Sequence, residues 1–351
     1  MSSPQPEIRF FSRRDLRDWL HNNQCIEGLS SDIITPTRAE AIIHNPWLQD
    51  DEPVVAAVYI DNQPAAFTAS FPDRIGNKTY HWFSTLWCSP EHRGKGFGLL
   101  AVGSLCETYG AETCLDMWGA PETVGIFQYL GHNTASFPEY RFEPKRINTD
   151  SLKGKAAWIA NRLRHTFQQR KPLEQLPNGT YHIQYHSHID EDIYRFITHN
   201  NAKDLMPRSR ETLNWILSHH FVHRAPLISS EPQTNTFDDR DSRYWMSGVS
   251  VHANNRLVGF YILRDSDHDL AVKYLYYIPD YQSQVYHSIA RHIVALGNPA
   301  FSTRHKQLAQ YITALGWYER STTAQISFSY PNGFEIPSSA MSQGGDGDGF
   351  V

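Results

Sequence analysis

The sequence predicts an α/β (α+β) protein of two similar domains, each with a mixed, mostly antiparallel twisted sheet flanked by helices. Three observations support this prediction. The chain has 351 residues, which is long for one domain. Strand and helix patterns follow the same order in both halves. A glycine-rich stretch, residues 89–98, separates a strand pattern from a helix pattern in the first half only.

In the first half, alternating or continuous apolar runs predict strands and 3.6-residue spacing predicts helices. Ser12 is a predicted cap for a helix that follows the first strand, and Asp61-Asn62-Gln63-Pro64 is a predicted hairpin turn. The predicted strands are residues 7–11, 54–60, 65–71, 80–88 and 113–118. The further predicted helices are residues 37–43, 99–109 and 123–131, the last ending on a glycine.

The second half repeats this order after residue 180. Its hairpin turn is predicted at Ala253-Asn254-Asn255-Arg256. The predicted strands are residues 181–189, 245–252, 257–263 and 270–278, and the predicted helices are residues 190–198, 209–219, 282–296 and 308–315. Aligning Pro90 with Pro279 superimposes the two series, which indicates a duplicated unit.

The run Arg93-Gly94-Lys95-Gly96-Phe97-Gly98 has the composition of a phosphate-binding loop. Glycines at alternate positions let the backbone turn tightly, and the first amides of the following helix have no partner within that helix. An anion binds favourably at such a helix start. The run fits neither a Walker A loop, which needs Lys-Ser/Thr after its last glycine, nor a dinucleotide-binding fingerprint. A purely structural turn remains the alternative.

A strand, then Pro-x-x-Arg-Gly-x-Gly-x-Gly, then a helix resembles the acyl-CoA-binding signature of the GNAT acyltransferase superfamily. The resemblance extends over most of residues 1–332 but is specific only at this loop. It implies that Arg93, Gly94, Lys95, Gly96, Phe97 and Gly98 bind the pyrophosphate of coenzyme A. It also implies that the backbone of Leu86, Trp87 and Cys88 pairs with the pantetheine arm.

The second half lacks the residue types of this loop. The alignment places Gln282, Ser283, Val285 and His287 opposite the arginine and the three glycines. A β-branched side chain at position 285 stands where bare backbone is required. The sequence therefore predicts one intact and one degenerate GNAT-like domain.

The resemblance implies transfer of an acyl group from a thioester to an amine by direct attack. Many members of the superfamily have, at the position of Phe127, a tyrosine whose hydroxyl acts as the acid. Phe127 has no hydroxyl, and the resemblance implies only that it contacts the cofactor. The candidate bases, in order, are Asp116, Glu122 and His81. A water chain and a purely structural role for Asp116 remain alternatives.

Composition excludes several classes of partner. The net charge of −5 argues against general binding to nucleic acid or membrane surfaces. The four cysteines have no Cys-x-x-Cys spacing, and no His-Glu-x-x-His pattern occurs, so no metal site is predicted. The chain starts without a signal-peptide pattern and has no membrane-spanning apolar run, and a cytoplasmic protein is expected.

The sequence thus predicts a GNAT domain over residues 1–150, a linker helix and connector over 151–178, a degenerate GNAT-like domain over 179–332 and a disordered tail over 333–351. The expected function is an acetyl-CoA-dependent N-acetyltransferase acting on a small-molecule amine, such as an amino sugar or amino acid derivative. The alternative is a non-catalytic acyl-CoA-binding or scaffold protein.

Overall fold

The computed structural model describes residues 5–143, 181–219, 223–224, 240–241, 244–267, 269–296 and 300–347. The predicted linker helix and connector, residues 151–178, lie outside these ranges.

The described residues form fourteen strands and eight helices. The strands are β1 (Glu7–Ser12), β2 (Pro53–Ile60), β3 (Gln63–Ile75), β4 (Lys78–Cys88), β5 (Cys114–Met117), β6 (Asn133–Glu143), β7 (His182–His186), β8 (His223–Arg224), β9 (Arg240–Asp241), β10 (Trp245–Ala253), β11 (Arg256–Asp265), β12 (Leu270–Tyr277), β13 (Phe301–Thr303) and β14 (Arg320–Tyr330). The helices are α1 (Arg13–His21), α2 (Pro36–Ile43), α3 (Phe97–Tyr109), α4 (Pro121–Tyr129), α5 (Glu191–Asn200), α6 (Arg210–Ser218), α7 (Gln282–Leu296) and α8 (Lys306–Ala314). The helices and strands predicted within the described residues are present with ends that differ by a few residues, whereas β6, β8, β9, β13 and β14 are not predicted from the sequence.

Local sequence signals account for several element ends. Ser12 caps α1 in a capping box with Asp15, as its position predicts. The β2–β3 hairpin turns through Asp61 and Asn62, whose φ angles are 51° and 61°. Asn and Asp tolerate this left-handed conformation better than most residues, and the β10–β11 hairpin turns in the same way through Asn254 and Asn255.

Twelve strands form one continuous sheet through both halves, in the order β1-β2-β3-β4-β5-β14-β6-β13-β12-β11-β10-β7. The last strands of the two halves are exchanged at its centre. Strand β14 of the second half lies between β5 and β6, and β6 of the first half lies between β14 and β13. Each half therefore completes its sheet with a strand from the other.

Helices cover both faces of the shared sheet. On one face, α1, α2, α5 and α6 enclose a core that spans both halves, in which Phe71 of β3 lies against Trp215 of α6. On the other face, α3 and α4 cover the first half and α7 and α8 the second, each with a separate core. Trp82 and Phe83, neighbours on β4, point into the two opposite cores because strand side chains alternate.

The tail differs from its prediction. Low apolar content predicts disorder from residue 333, yet residues 341–347, here called the C-terminal segment, lie between the halves, and all of them except the partly buried Met341 are buried. Ser342, Gln343 and Asp346 are 2%, 0% and 0% exposed. The prediction is wrong for this stretch because polar bonds and closely fitted glycine backbone hold it in place of apolar side chains.

The exchanged strand β14 predicts a large cost for truncating Phe328, which is fully buried against Trp82, Phe137 and Phe334. We expect Phe328→Ala to lower the free energy of unfolding by about 3–5 kcal/mol. Urea denaturation followed by tryptophan fluorescence measures this loss. Tyr129→Ala, at a ring that is 78% exposed on α4, serves as the control and should change stability little. Equal, small effects of both variants would contradict a structural role for β14.

Candidate functional site

A cavity opens where β4 and β5 part. These parallel strands pair only through His81↔Cys114, Trp82↔Leu115 and Phe83↔Asp116. Beyond the third pair β4 continues to Cys88, whereas β5 ends at Met117. The cavity has a volume of about 240 Å³ and is lined by Thr68, Phe83, Ser84, Thr85, Leu86, Val102, Asp116, Met117, Trp118, Gly119, Ala120, Thr123 and Phe127.

Two residues of this lining have strained backbone. Thr85 has a φ of 53° and Trp118 a φ of 74°. Thr85 lies in a bulge of β4, where the register with β3 shifts between Phe67 and Ala69. A β-branched residue rarely adopts the left-handed region, and such strain concentrates at functional sites. The two conformations, both in the lining of one cavity, point to a binding site there.

The glycine-rich loop lies at the end of β4 and leads into α3. A short 3-10 turn, Pro90–His92, precedes it, and Gly94 and Gly96 have φ angles of 76° and 85°. A Cβ added to either glycine would meet no atom within 4 Å, so the backbone conformation demands glycine and the space beside it is open. With the unpaired first amides of α3, this turn is suited to an anion.

No protein-family model matches the sequence, and no curated protein matches it. Solved structures do resemble the chain. The crystal structure of a putative acetyltransferase from Pyrococcus horikoshii has a TM-score of 0.51 at 9% identity and covers 97% of this chain and 94% of that chain. The chain has a tandem GNAT-like fold.

Two further structures are similar at lower scores. A probable N-acyltransferase from Enterococcus faecalis V583 matches with 11% identity and a TM-score of 0.49 over 92% of this chain and 72% of that chain. A tandem GNAT protein from the clavulanic acid biosynthesis pathway matches with 8% identity and a TM-score of 0.48 over 93% of this chain and 98% of that chain. Identities of 8–11% carry no information about the activity of this chain.

In this GNAT-like fold, the predicted cofactor residues lie on β4, on the glycine-rich loop, at the start of α3 and on α4, and two of them line the cavity. Leu86 and Phe127 line the cavity, and a Cβ on Gly98 would contact Leu86 and Ile126 at 3.8 and 3.5 Å. Trp87 stacks on Phe67 with 5.2 Å between ring centroids. Arg93 and Lys95 are exposed on the loop with Gly94 and Gly96, while Phe97 begins α3. Burial raises the pKa of the Cys88 thiol, which favours its neutral form.

The three candidate bases lie in different places. Asp116 lines the cavity and is 5% exposed, and its carboxylate leans over the backbone of Gly119, where an added Cβ would lie 2.5 Å from Oδ2. Glu122 is exposed on α4 and is not part of the lining. His81 is also outside the lining, because its Nε2 lies 2.7 Å from Glu52 and its ring stacks on Tyr109. The geometry favours Asp116.

Several residues of the lining escape prediction from sequence. These residues are Thr68 of β3, Ser84 and Thr85 at the β4 bulge, and Trp118 in the β5–α4 connection. Arg38 of α2 reaches the same place from the other face of the sheet, with Nη1 3.4 Å from Ser84 Oγ. The only signal for Arg38 in the sequence is its position on the second helix, which does not distinguish it from a surface arginine.

The second half differs at the corresponding place. Helix α7 begins at Gln282, directly after the 3-10 turn Pro279–Tyr281, without the four-residue turn that precedes α3. Val285 of α7 packs onto β11, where a Cβ on Gly259 would lie 2.3 Å from its Cγ2. The residue that the alignment places opposite Gly96 thus makes a core contact.

Within the described residues there is neither a metal-binding cluster nor a membrane-spanning helix. No group of three or more His, Cys, Asp or Glu side chains there is arranged to hold a metal ion. Among the same residues, no helix has the length and apolar character needed to span a bilayer.

The strained bulge predicts that Thr85→Gly stabilises the protein. Relief of the left-handed conformation is worth about 1–3 kcal/mol, offset in part by the greater backbone entropy of glycine in the unfolded chain. We expect a net gain of about 1 kcal/mol in urea denaturation. Thr79→Gly, at an exposed position of the same strand, is the matched control and should lower stability. A loss at both positions would contradict strain at Thr85.

Proposed function

We propose that this protein is an acetyl-CoA-dependent N-acetyltransferase that acetylates the amine of a small molecule, such as an amino sugar or amino acid derivative. The observation that carries the proposal is the position of the glycine turn, which opens at the start of α3 beside the cavity between β4 and β5. A phosphate site next to a slot of this kind suits a long ligand with an anionic end and a narrow arm.

The residues fit coenzyme A. Arg93, Lys95 and the amides from Gly94 to Gly98 would hold the pyrophosphate, since the loop is exposed and free of side-chain crowding at both glycines. The backbone of Leu86, Trp87 and Cys88 would pair with the arm, and Phe127 would pack against it. The bound cofactor supplies an acyl thioester. The chain's own task is to hold it in line with the acceptor and keep water out of the slot.

Asp116 is the proposed proton acceptor for the acceptor amine. It is buried at the cavity wall, where β4 and β5 part, and a carboxylate there can take a proton from an amine directly or through one water. The strained backbone at Trp118 and the glycine at position 119 keep the β5–α4 connection close to this carboxylate.

One observation favours a second candidate, a non-catalytic acyl-CoA-binding protein. Phe127 is fully buried, with its ring edge-on to Phe83 at 5.3 Å, and has no hydroxyl to protonate a leaving thiolate. Titration calorimetry with acetyl-CoA, followed by a thiol-release assay over a panel of amines, separates the two. Binding without turnover would favour this candidate, and absence of binding would exclude both.

A cytoplasmic site of action forms part of the proposal. All four cysteines are free thiols, including the buried Cys106 and Cys114, which fits a reducing compartment.

The loop proposal predicts that Gly96→Val weakens acetyl-CoA binding by at least tenfold in calorimetry. Valine cannot adopt a φ of 85° without strain, so the turn before α3 would change shape. Gly316→Val is the matched control, because Gly316 follows α8 in the second half with a φ of 65° and equally open surroundings. Similar affinities for both variants would show that the pyrophosphate binds elsewhere.

The proton-acceptor proposal predicts that Asp116→Asn lowers kcat by about 10²–10⁴-fold while the affinity for acetyl-CoA stays within a few-fold. Glu122→Gln, an exposed carboxylate on the adjacent helix, should leave kcat almost unchanged. The thiol-release assay measures both. A kcat of Asp116→Asn close to that of the parent protein would show that water, and not Asp116, accepts the proton.

A further inference from the structure

The C-terminal segment, residues 341–347, threads a channel between the halves that admits only bare backbone at two points. A Cβ on Gly345 would lie 2.3 Å from the ring of Tyr274. A Cβ on Gly347 would lie 2.8 Å from Met117 Cβ and 3.6 Å from the ring of Trp82. The glycine-rich composition that suggests disorder is thus what lets this segment enter the interior.

Polar groups of the second half hold the segment. Arg304 donates from Nη1 to Gln343 O at 3.0 Å and also to Ser342 Oγ. The Gln343 side chain donates to Asp204 at 2.8 Å, and its oxygen lies 2.7 Å from His305 Nε2. These partners replace the apolar contacts that usually fix a buried segment.

The fit between segment and arginines is incomplete. Among the described residues, Arg304 Nε and Nη2, Arg208 Nε and Asp346 Oδ1 have no hydrogen-bond partner, although all are buried. The nearest approach of Asp346 to Arg208 is 3.9 Å. A buried polar group without a partner costs about 1–3 kcal/mol. The two guanidinium groups therefore have donors that the segment does not use.

The segment also ends at the wall of the proposed active site. Gly347 touches Met117, and Arg304 lies over the Trp118 ring at 4.4 Å with Nη1 3.2 Å from Met117 Sδ. Met117 and Trp118 both line the cavity. The Met117 side chain belongs to the core opposite to α3, whereas the glycine loop lies at the start of α3. Since the donor loop lies on the α3 side, an acceptor has to approach from the face that the segment covers.

The charges around the segment favour binding of an anion at this position when the segment is displaced. Arg208 is already paired with Asp73. The carboxylates of Asp346 and Glu139 interact electrostatically with Arg304, but within the described residues neither forms an ion pair with Arg304. Burial raises the pKa of Asp346 to about 6, so its ionised form is held at a cost at neutral pH. When Asp346 leaves with the segment, the buried charge of Arg304 loses the nearby carboxylate of the segment, and an anionic ligand in the same place would replace it.

We propose that the C-terminal segment occupies the acceptor's place behind Met117 and Trp118, and that the acceptor is an amine that also carries a carboxylate. This carboxylate displaces the segment and binds Arg304 and the unused Nε of Arg208. This inference rests on the proposed acetyltransferase function. It selects amino acid derivatives over amino sugars, because the donors left unused by the segment match the two oxygens of a carboxylate. No bond is made or broken by the displacement.

The test uses the full-length protein, a truncation ending at Ala340, Asp346→Asn, and Asp280→Asn as an exposed control. Thiol release is measured with lysine against 1,5-diaminopentane and with β-alanine against ethylamine. We expect kcat/KM for lysine and β-alanine to exceed that of their partners, and to rise at least fivefold in the truncation and in Asp346→Asn but not in Asp280→Asn. Arg304→Met should abolish the preference for the carboxylate.

Hydrogen exchange of residues 341–347 gives a second readout that needs no turnover. Lysine at millimolar concentration should speed exchange in this segment, and 1,5-diaminopentane should not. Exchange as slow as that of β14 with and without lysine, or equal kcat/KM for both members of each pair, would overturn the inference. If the parent protein binds acetyl-CoA in calorimetry but turns over only amino sugars, this inference is wrong and the proposed acetyltransferase function stands. If the parent protein does not bind acetyl-CoA, the proposed function is wrong.

Discussion

The exchange of β6 and β14 is the constraint on which the rest of the structure depends. Strand β14 pairs with β6 along eleven residues and with β5 at Phe328 and Ser329. Ser329 stands opposite Asp116, and the Trp118 amide donates to Ser327 O at 3.2 Å. All the residues that line the cavity belong to the first half, but β14 of the second half pairs with β5 and holds the backbone of Trp118 at its edge. The position of this wall of the cavity therefore depends on a strand from the other half.

Buried charges fix the same junction. Asp73 of the first half is 1% exposed and bonds to Arg208, Thr212 Oγ1 at 2.9 Å and Trp82 Nε1 at 3.3 Å. Because removal of one member of such a group leaves an uncompensated charge that costs about 3–5 kcal/mol, the group strongly favours one relative position of the halves. Asp346 adds the C-terminal segment to it. The position of that segment beside Met117 is therefore determined by charges that lie outside the cavity.

What the sequence predicts here is local, and what it misses is long-range. The glycine loop and the turns at Asp61 and Asn254 are predictable because backbone conformation restricts residue choice at those positions. In β14 the apolar residues Ile326, Phe328 and Tyr330 alternate with polar ones, which is a strand pattern, but this pattern does not indicate that β5 and β6 are the neighbouring strands. The buried position of residues 341–347 is not predicted because composition shows that the segment lacks apolar side chains. Composition does not show that polar groups distant in sequence, such as Arg304, bond to it.

The two halves have diverged in a physically consistent way. In the second half, α7 directly follows a 3-10 turn, without the four-residue turn that precedes α3, and Val285, aligned with Gly96, packs onto Gly259. Its β13–α8 connection, equivalent by topology to the β5–α4 connection of the first half, then carries Arg304 to the Trp118 ring. These two equivalent connections meet at the centre of the sheet, where the strands are exchanged. A duplicated fold thereby provides, in our proposal, two different surfaces to one active site: the first half holds the acyl donor and the second recognises the acceptor.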